Sequence, residues 1–266
     1  MTPQPRSRAQ ERRKRGLLFF LGAVGEISLT LGVVLGLFWV WHLVINDRIQ
    51  GSQQSSYAQA IAEDWEEPAA EEAAGAESPG DALATAVPVA LPLEPPVVET
   101  VELGDAFALL YVPRFGDNYV RAIGEGVDLA SVLNNAQLGV GRYPQSSDLG
   151  ELGNFAIAGH RTTYGAPFAN IAELRAGDRF YVEVDQGWYS YEFRNLEYVL
   201  PTEMDVLNAF PKTQAEHSSI RVITLTSCHP RFSDAERIIA YGVYEGWYPR
   251  ENGPPAEITH LVRGQS

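Results

Sequence analysis

From residue 16 to residue 45 the chain is almost continuously apolar, interrupted by Glu26. A run of about 30 residues exceeds the roughly 20 that cross a bilayer. It is too long for the core of a signal peptide, and no small-residue cleavage pattern follows it. The pattern predicts one uncleaved transmembrane helix over 16–46. A span over 24–45 sets Glu26 near the headgroups, with Trp39, Trp41 and His42 as an interfacial belt. Over 47–104 the sequence is rich in Ala, Glu, Pro, Gly and Ser, with no sustained helical or strand period. That composition buries too little surface to offset ordering entropy, so an acidic disordered tether is expected, with room for a short helix at 57–65. From residue 105 short runs of Val, Ile, Tyr and Phe alternate with Gly, Asp, Asn and Pro turns. Strands are predicted at 107–113, 119–123, 154–159, 178–184, 188–199, 221–226 and 237–245, and short helices at 129–134 and 167–174. Many short strands and few helices predict a mainly β, closed or nearly closed barrel over 105–250. Residues 251–266 read as a loose C-terminal tail.

Charge changes this picture by where it lies. The formal net charge is -14, but residues 1–15 carry Arg6, Arg8, Arg12, Arg13, Lys14 and Arg15 against Glu11 alone. This basic tail belongs on the cytoplasmic side of a single-pass protein, with the barrel outside. Residues 47–104 hold twelve acids and one base, Arg48, so the barrel itself is only mildly acidic. No basic stripe of the kind nucleic-acid binding needs is present.

The chain has one cysteine, Cys228, which excludes an internal disulfide and any cysteine-rich zinc site. It ends the apolar run Arg221-Val222-Ile223-Thr224-Leu225-Thr226-Ser227-Cys228, just before His229 and Pro230. A buried small hydrophobe is one role open to a lone cysteine. A strand terminus, however, both anchors a nucleophile and leaves it reachable. His160 closes the run Asn154-Phe155-Ala156-Ile157-Ala158-Gly159 and is the best acid–base partner, although a structural role is equally open to a histidine there. His42 falls in the apolar run, His217 in a polar loop, and His260 in the tail. His229 adjoins the cysteine but points to the other face of a strand. Arg237 begins the next strand, where its guanidinium can donate to an oxygen gaining negative charge, or pair with a carboxylate. Arg231 is the nearest alternative. Thiol, imidazole and guanidinium are the parts of a cysteine acyl-transfer site. No metal site or cofactor is evident.

At these residues the chain resembles the sortases, membrane-anchored cysteine transpeptidases of Gram-positive bacteria. Thr224-Leu225-Thr226-Ser227-Cys228 is similar to their Thr-Leu-x-Thr-Cys signature, with Ser227 in place of the usual threonine. The Cys-His-Pro continuation, the stretch from Asn154 through His160 to Phe168, and Val112-Pro113-Arg114-Phe115-Gly116-Asp117-Asn118-Tyr119 resemble the class E members of actinobacteria. The resemblance implies a barrel of about eight strands with Cys228 as nucleophile, His160 as acid and base, and Arg237 as oxyanion and substrate holder. It also implies cleavage of the Thr–Gly bond in a Leu-Ala-x-Thr-Gly or Leu-Pro-x-Thr-Gly sorting signal of secreted proteins. A thioacyl enzyme would then pass to an amine of a peptidoglycan precursor or cross-bridge. Tyr119 and Thr226 are the substrate-contact candidates. Two other readings stay open: a pilin polymerase, whose lid would use Asp64-Trp65, and a non-catalytic tethered binding module.

Overall fold

The structure, a computed structural model, describes residues 8–41, 45–75, 94–99 and 101–262. Residues 1–7 of the basic tail, His42 of the expected belt, 76–93 of the expected tether and 263–266 of the tail lie outside the described residues. The chain divides into two units, Met1–Asn46 and Asp47–Ser266. The first holds helix α1 (Arg8–Val40). Its stretch Arg15–Val40 is long and apolar enough to cross a membrane. Phe19, Leu29 and Phe38 on it are exposed, as side chains meant for a hydrocarbon surround would be.

The second unit is built on eight strands. These are β1 (Ala106–Tyr111), β2 (Val120–Glu125), β3 (Val140–Arg142), β4 (Gly153–Gly159), β5 (Arg179–Val184), β6 (Gly187–Val199), β7 (Arg221–His229) and β8 (Glu236–Pro249). They close into a barrel in the order β1-β2-β3-β4-β7-β8-β6-β5. The β2–β3 and β4–β7 pairs are parallel and the other pairs antiparallel. Alternation along each strand fills the interior. Phe155, Ile157, Phe180, Tyr191, Ile223, Leu225, Ile238 and Ala240 share the main core with Phe168. Each large apolar side chain so buried contributes about 1.5–3 kcal/mol. A second face of the same strands, with Ala156, Val222, Ile239 and Tyr241, packs under Val206 and Leu207 of the β6–β7 connection.

Strand β3 is absent from the sequence-based expectation, because three residues are too few to display an alternation. A buried ion pair marks its place. Arg142 lies opposite Glu125 in the parallel register, and its Nε and Nη2 donate to the Glu125 carboxylate at 2.7 and 3.2 Å. Its Nη1 donates to the Ser146 carbonyl at 3.0 Å and pairs with Asp148 at 2.7 Å. Gly141, the residue before Arg142, has no room for a side chain, since a Cβ there would stand 2.1 Å from the Gly126 carbonyl oxygen.

The expected tether departs from the structure at its start. Helix α2 (Asn46–Gly75) lays Gly51, Gln54, Ala58 and Ala62 against the barrel. Ala58 and Ala62 pack beside Tyr111, Val120 and Ala122, with Tyr57, Ile61 and Trp65 at the rim. The spacing is helical, but the stripe is glycine, glutamine and alanine, so it carries little apolar signal. The expected loose tail departs as well. Ile258, Leu261 and Val262, the latter two in the short helix α3 (Thr259–Val262), are buried in the same cluster as α2.

Arg142→Ala removes one partner of a buried pair and is expected to cost about 3–5 kcal/mol of stability, read from the denaturant midpoint. Replacing Glu125 and Arg142 together by leucine and methionine recovers most of that loss. An unchanged midpoint for the single variant would mean that the pair does not hold β3 in place.

Candidate active site

Strand β7 lies between β4 and β8, and the two ladders order the candidate residues. In the antiparallel β7–β8 register Cys228 is directly opposite Arg237, so the two side chains leave the sheet on the same face. In the parallel β4–β7 register Ala156 matches Thr224 and Ala158 matches Thr226. Counting on two residues sets His160, the residue after β4, level with Cys228. The three candidates thus form one row: Cys228 and Arg237 paired on neighbouring strands about 4.8 Å apart, and His160, one residue past the end of β4, level with them when the register is carried on. Cys228 is a free, half-buried thiol. The strand interior beneath it is buried, while the loop after it is exposed, so the sulfur is both anchored and open.

His160 begins a loop rather than extending a strand. Its Nε2 is 2.8 Å from Asn134 Oδ1, so with the amide oxygen as acceptor Nε2 carries the hydrogen. The ring also packs on Tyr164, with centroids 5.1 Å apart. Thr163, Tyr164, Gly165 and Ala166 follow with φ of 64, 50, 79 and 42°. Left-handed backbone costs about 1–2 kcal/mol at each non-glycine position, so other contacts must hold the loop. Phe168, fully buried, returns its N–H to the His160 carbonyl at 3.0 Å. Tyr119 donates its hydroxyl to the Pro167 carbonyl at 2.9 Å, and Asp47 on α2 accepts from the Thr163 N–H at 3.0 Å. Burial lowers the His160 pKa below the ordinary histidine value, and the Asp47 carboxylate acts in the opposite sense. The neutral ring is thus favoured.

Arg237 is aimed by its own loop. Its Nη1 donates to the carbonyls of Asp234 and Glu236 at 2.9 and 3.0 Å. Neither nearby carboxylate takes it. Glu236 instead lies 3.9 Å from His229, and among the described residues Nε and Nη2 of Arg237 make no hydrogen bond. His229 itself is turned away from the row. Its Nδ1 accepts from Arg161 at 2.6 Å and its ring packs on Tyr198. Arg231 is also engaged elsewhere, donating to the Ala169 carbonyl at 2.5 Å.

Ser227, the departure from the signature, donates its hydroxyl to the Gly159 carbonyl at 2.7 Å. The hydroxyl ties β7 to the end of β4 beside His160, and the missing methyl takes no part in that bond. Thr226 is buried with its Oγ1 3.0 Å from the Tyr143 hydroxyl. Tyr119 is also buried, with its ring edge-on to Phe115 and under the Arg121 guanidinium. Asn134, Arg161 and Tyr143 were not foreseen, because no spacing in the sequence connects them to the histidine or the cysteine. Among the described residues no group of three or more His, Cys, Asp or Glu side chains is gathered as a metal site would need. A cleft of about 970 Å³ lies between α2 and the loops that carry Tyr119 and Gly165, and neither Cys228 nor His160 lines it.

A sortase-domain family model matches residues 110–245, which include all three residues of the row. The chain belongs to the sortase family. It is 30% identical to Sortase SrtE1 of Streptomyces coelicolor over 258 residues, a match covering 95% of this chain and 65% of that protein. Among solved structures it is similar to the SrtA sortase from Actinomyces oris, with 33% identity and a TM-score of 0.60 over 67% of this chain and 100% of that one. It also resembles sortase E1 from Streptomyces coelicolor, solved with a tripeptide in its active site. There the identity is 32% and the TM-score 0.53, over 58% of this chain and 97% of that one. The Streptomyces relatives agree with the class E resemblance.

His160 of this sortase is expected to titrate below the ordinary histidine value, as followed by ring NMR shifts against pH. In the interval between its folded and unfolded pKa the unfolded chain holds the proton and the folded chain does not. Stability from this group is therefore complete above the unfolded value and falls as pH drops through the folded one. A midpoint at or above the ordinary value would contradict the burial seen here.

Proposed function

We propose that this sortase is a single-pass membrane transpeptidase with its basic end in the cytoplasm and its barrel outside. It cuts the Thr–Gly bond of a Leu-Ala-x-Thr-Gly or Leu-Pro-x-Thr-Gly signal in secreted proteins and transfers the acyl group to a cell-wall amine. The observation that carries this reading is the pairing of Cys228 with Arg237 across β7 and β8, with His160 just past the end of the neighbouring β4.

In the first step the Cys228 thiol passes its proton to the neutral His160 ring, and the sulfur, as thiolate, bonds to the threonine carbonyl carbon while the carbonyl oxygen takes up the negative charge. The free Nε and Nη2 donors of Arg237, held by the loop carbonyls on Nη1, meet that oxygen. The C–N bond then breaks, His160 gives its proton to the departing glycine amine, and a thioester remains. In the second step the incoming amine attacks the thioester carbon. His160 takes the proton from that amine, the C–S bond breaks, and the proton passes to the sulfur, restoring the thiol and the neutral ring. Thr226, with its hydroxyl on that of Tyr143, stands two residues before the sulfur on the same face of β7. Tyr119, buried with its hydroxyl on the Pro167 carbonyl, supports the histidine loop.

The polymerase reading loses its main feature. Trp65 sits on α2 near Arg250, 6.0 Å from its ring centroid. Arg250 follows the end of β8, whereas Arg237 stands at its start. Asp64-Trp65 is therefore at the opposite end of that strand from the thiol and does not cover it.

With a Leu-Ala-x-Thr-Gly peptide and a small primary amine, the full chain is expected to yield the amide. Cys228→Ala should abolish it. His160→Ala should cost about 10²–10⁴-fold in rate, and Arg237→Ala about 10²–10³-fold in kcat. Mass spectrometry of the products separates amide formation from plain hydrolysis. No amide from either signal, anywhere across the range in which a histidine titrates, would overturn the transfer reading. Labelling of Cys228 by a thiol-directed peptide analogue that is indifferent to His160→Ala and Arg237→Ala would favour a non-catalytic module.

A further inference from the structure

We propose that Gln54 on helix α2 is a positioning residue for the active-site imidazole: its amide clamps together the two loops that hold the His160 ring. The proposal rests on the catalytic reading of His160 above and extends the site to helix α2. Gln54 is fully buried. Its Nε2 donates to the carbonyl of Tyr164 at 3.0 Å and to that of Asn135 at 3.3 Å. Tyr164 is the residue whose ring packs on His160. Asn135 is next to Asn134, whose Oδ1 is bonded to His160 Nε2. The two hydrogens of one amide thus hold the two loops that contact the two sides of the imidazole.

The backbone is shaped to admit this side chain. A Cβ on Gly139 would lie 2.3 Å from Gln54 Nε2, and one on Gly165 would lie 2.4 Å from Oε1. Both glycines have φ near +80°, which other residues seldom adopt. On the helix side, Gly51 lets the Gly165 carbonyl approach to 3.3 Å from where a Cβ would be. Seven residues before Gln54, two turns away on the same side of the helix, Asp47 accepts from the Thr163 N–H at 3.0 Å. Helix α2 therefore grips the strained 163–166 segment at two points. Among the described residues Gln54 Oε1 has no hydrogen-bond partner. Burying that atom is a cost that an apolar side chain of the same length would avoid. The amide is explained by what its hydrogens hold.

The titratable groups acting on or packed against the ring are Asp47 from α2 and Tyr164 from the loop, and Cys228 on β7 is level with it by the register carried past β4. Arg161, next in the chain, is turned to His229, and Arg237 is held by its own loop carbonyls.

The test compares Gln54→Met, which keeps length and loses both donors, with Gln54→Ala and Asp47→Asn in the full chain in detergent micelles. Selective ¹⁵N-histidine labelling, assigned by His160→Ala, reads the ring without substrate. The two Gln54 variants are expected to shift the His160 ring resonances while thermal unfolding stays cooperative. They should lower kcat about tenfold with KM little changed, as a misplaced acid–base group does. Asp47→Asn is expected to lower the His160 titration midpoint, because the carboxylate favours the imidazolium. Both Gln54 variants folding with parental ring resonances would overturn the proposal. So would a kcat loss accompanied only by a general loss of fold. If His160→Ala leaves the peptide reaction intact, the catalytic reading fails, and the ring resonances still decide whether Gln54 positions the imidazole.

Discussion

Strand β7 is hydrogen-bonded along both edges, and that double constraint orders everything around it. The pleat sends Ile223 and Leu225 into the barrel, so Thr226 and Cys228 must leave by the other face. A slip of one residue would turn the thiol into the core and bring two large apolar side chains out, at about 1.5–3 kcal/mol each. The core tolerates no such slip. Gly242, the partner of Ile223 on β8, has Ile223 and Phe180 so close that an added Cβ would stand 2.8 and 2.9 Å from them. Packing inside the barrel therefore fixes which side chains appear on its outer face. The pairing of Cys228 with Arg237 follows from the core and needs no contact between the two.

The parts of the site that lie on this ladder are the parts legible in the sequence. Apolar alternation in 221–226 and 237–245 marks β7 and β8, and an extended run ending at His160 marks β4. A thiol, an imidazole and a guanidinium at strand edges read directly from those runs. What the sequence hides has a different physical origin. Strand β3 depends on one buried ion pair and a glycine against a carbonyl, neither of which has a period. Helix α2 packs through Gly51, Gln54, Ala58 and Ala62, a stripe that close approach rather than apolar area makes possible. Asn134 reaches His160 through tertiary structure alone. Net charge misleads as well. The acids of residues 47–66 read as a repelling tether, yet Asp47 is a bonded member of the histidine loop.

Two opposed effects meet at His160. Desolvation favours the neutral ring, while the Asp47 carboxylate favours the charged one. A ring that must give a proton and later take one is served by neither extreme, because a proton held too firmly cannot leave and one held too weakly is not there to give. The carboxylate comes from α2 and the desolvation from the surrounding loops and their packed aromatic. The balance is therefore set by how closely the helix sits on the 163–166 segment, a geometric quantity rather than a property of the histidine.

This divides the site into two mechanical classes. Cys228 and Arg237 stand on the ladder, where displacement means breaking sheet hydrogen bonds and repacking Ile238 and Leu225. His160 stands one residue beyond a strand, before four consecutive left-handed residues that persist because neighbours hold them. Its position can change without unfolding the barrel, whereas theirs cannot. The hydroxyl of Ser227 bridges the two classes, since it bonds the Gly159 carbonyl from the residue before the nucleophile. That single bond crosses from β7 to the point where the histidine loop leaves the sheet. Beyond it, the imidazole depends on Asn134, Tyr164 and the helix behind them for its alignment with the thiol.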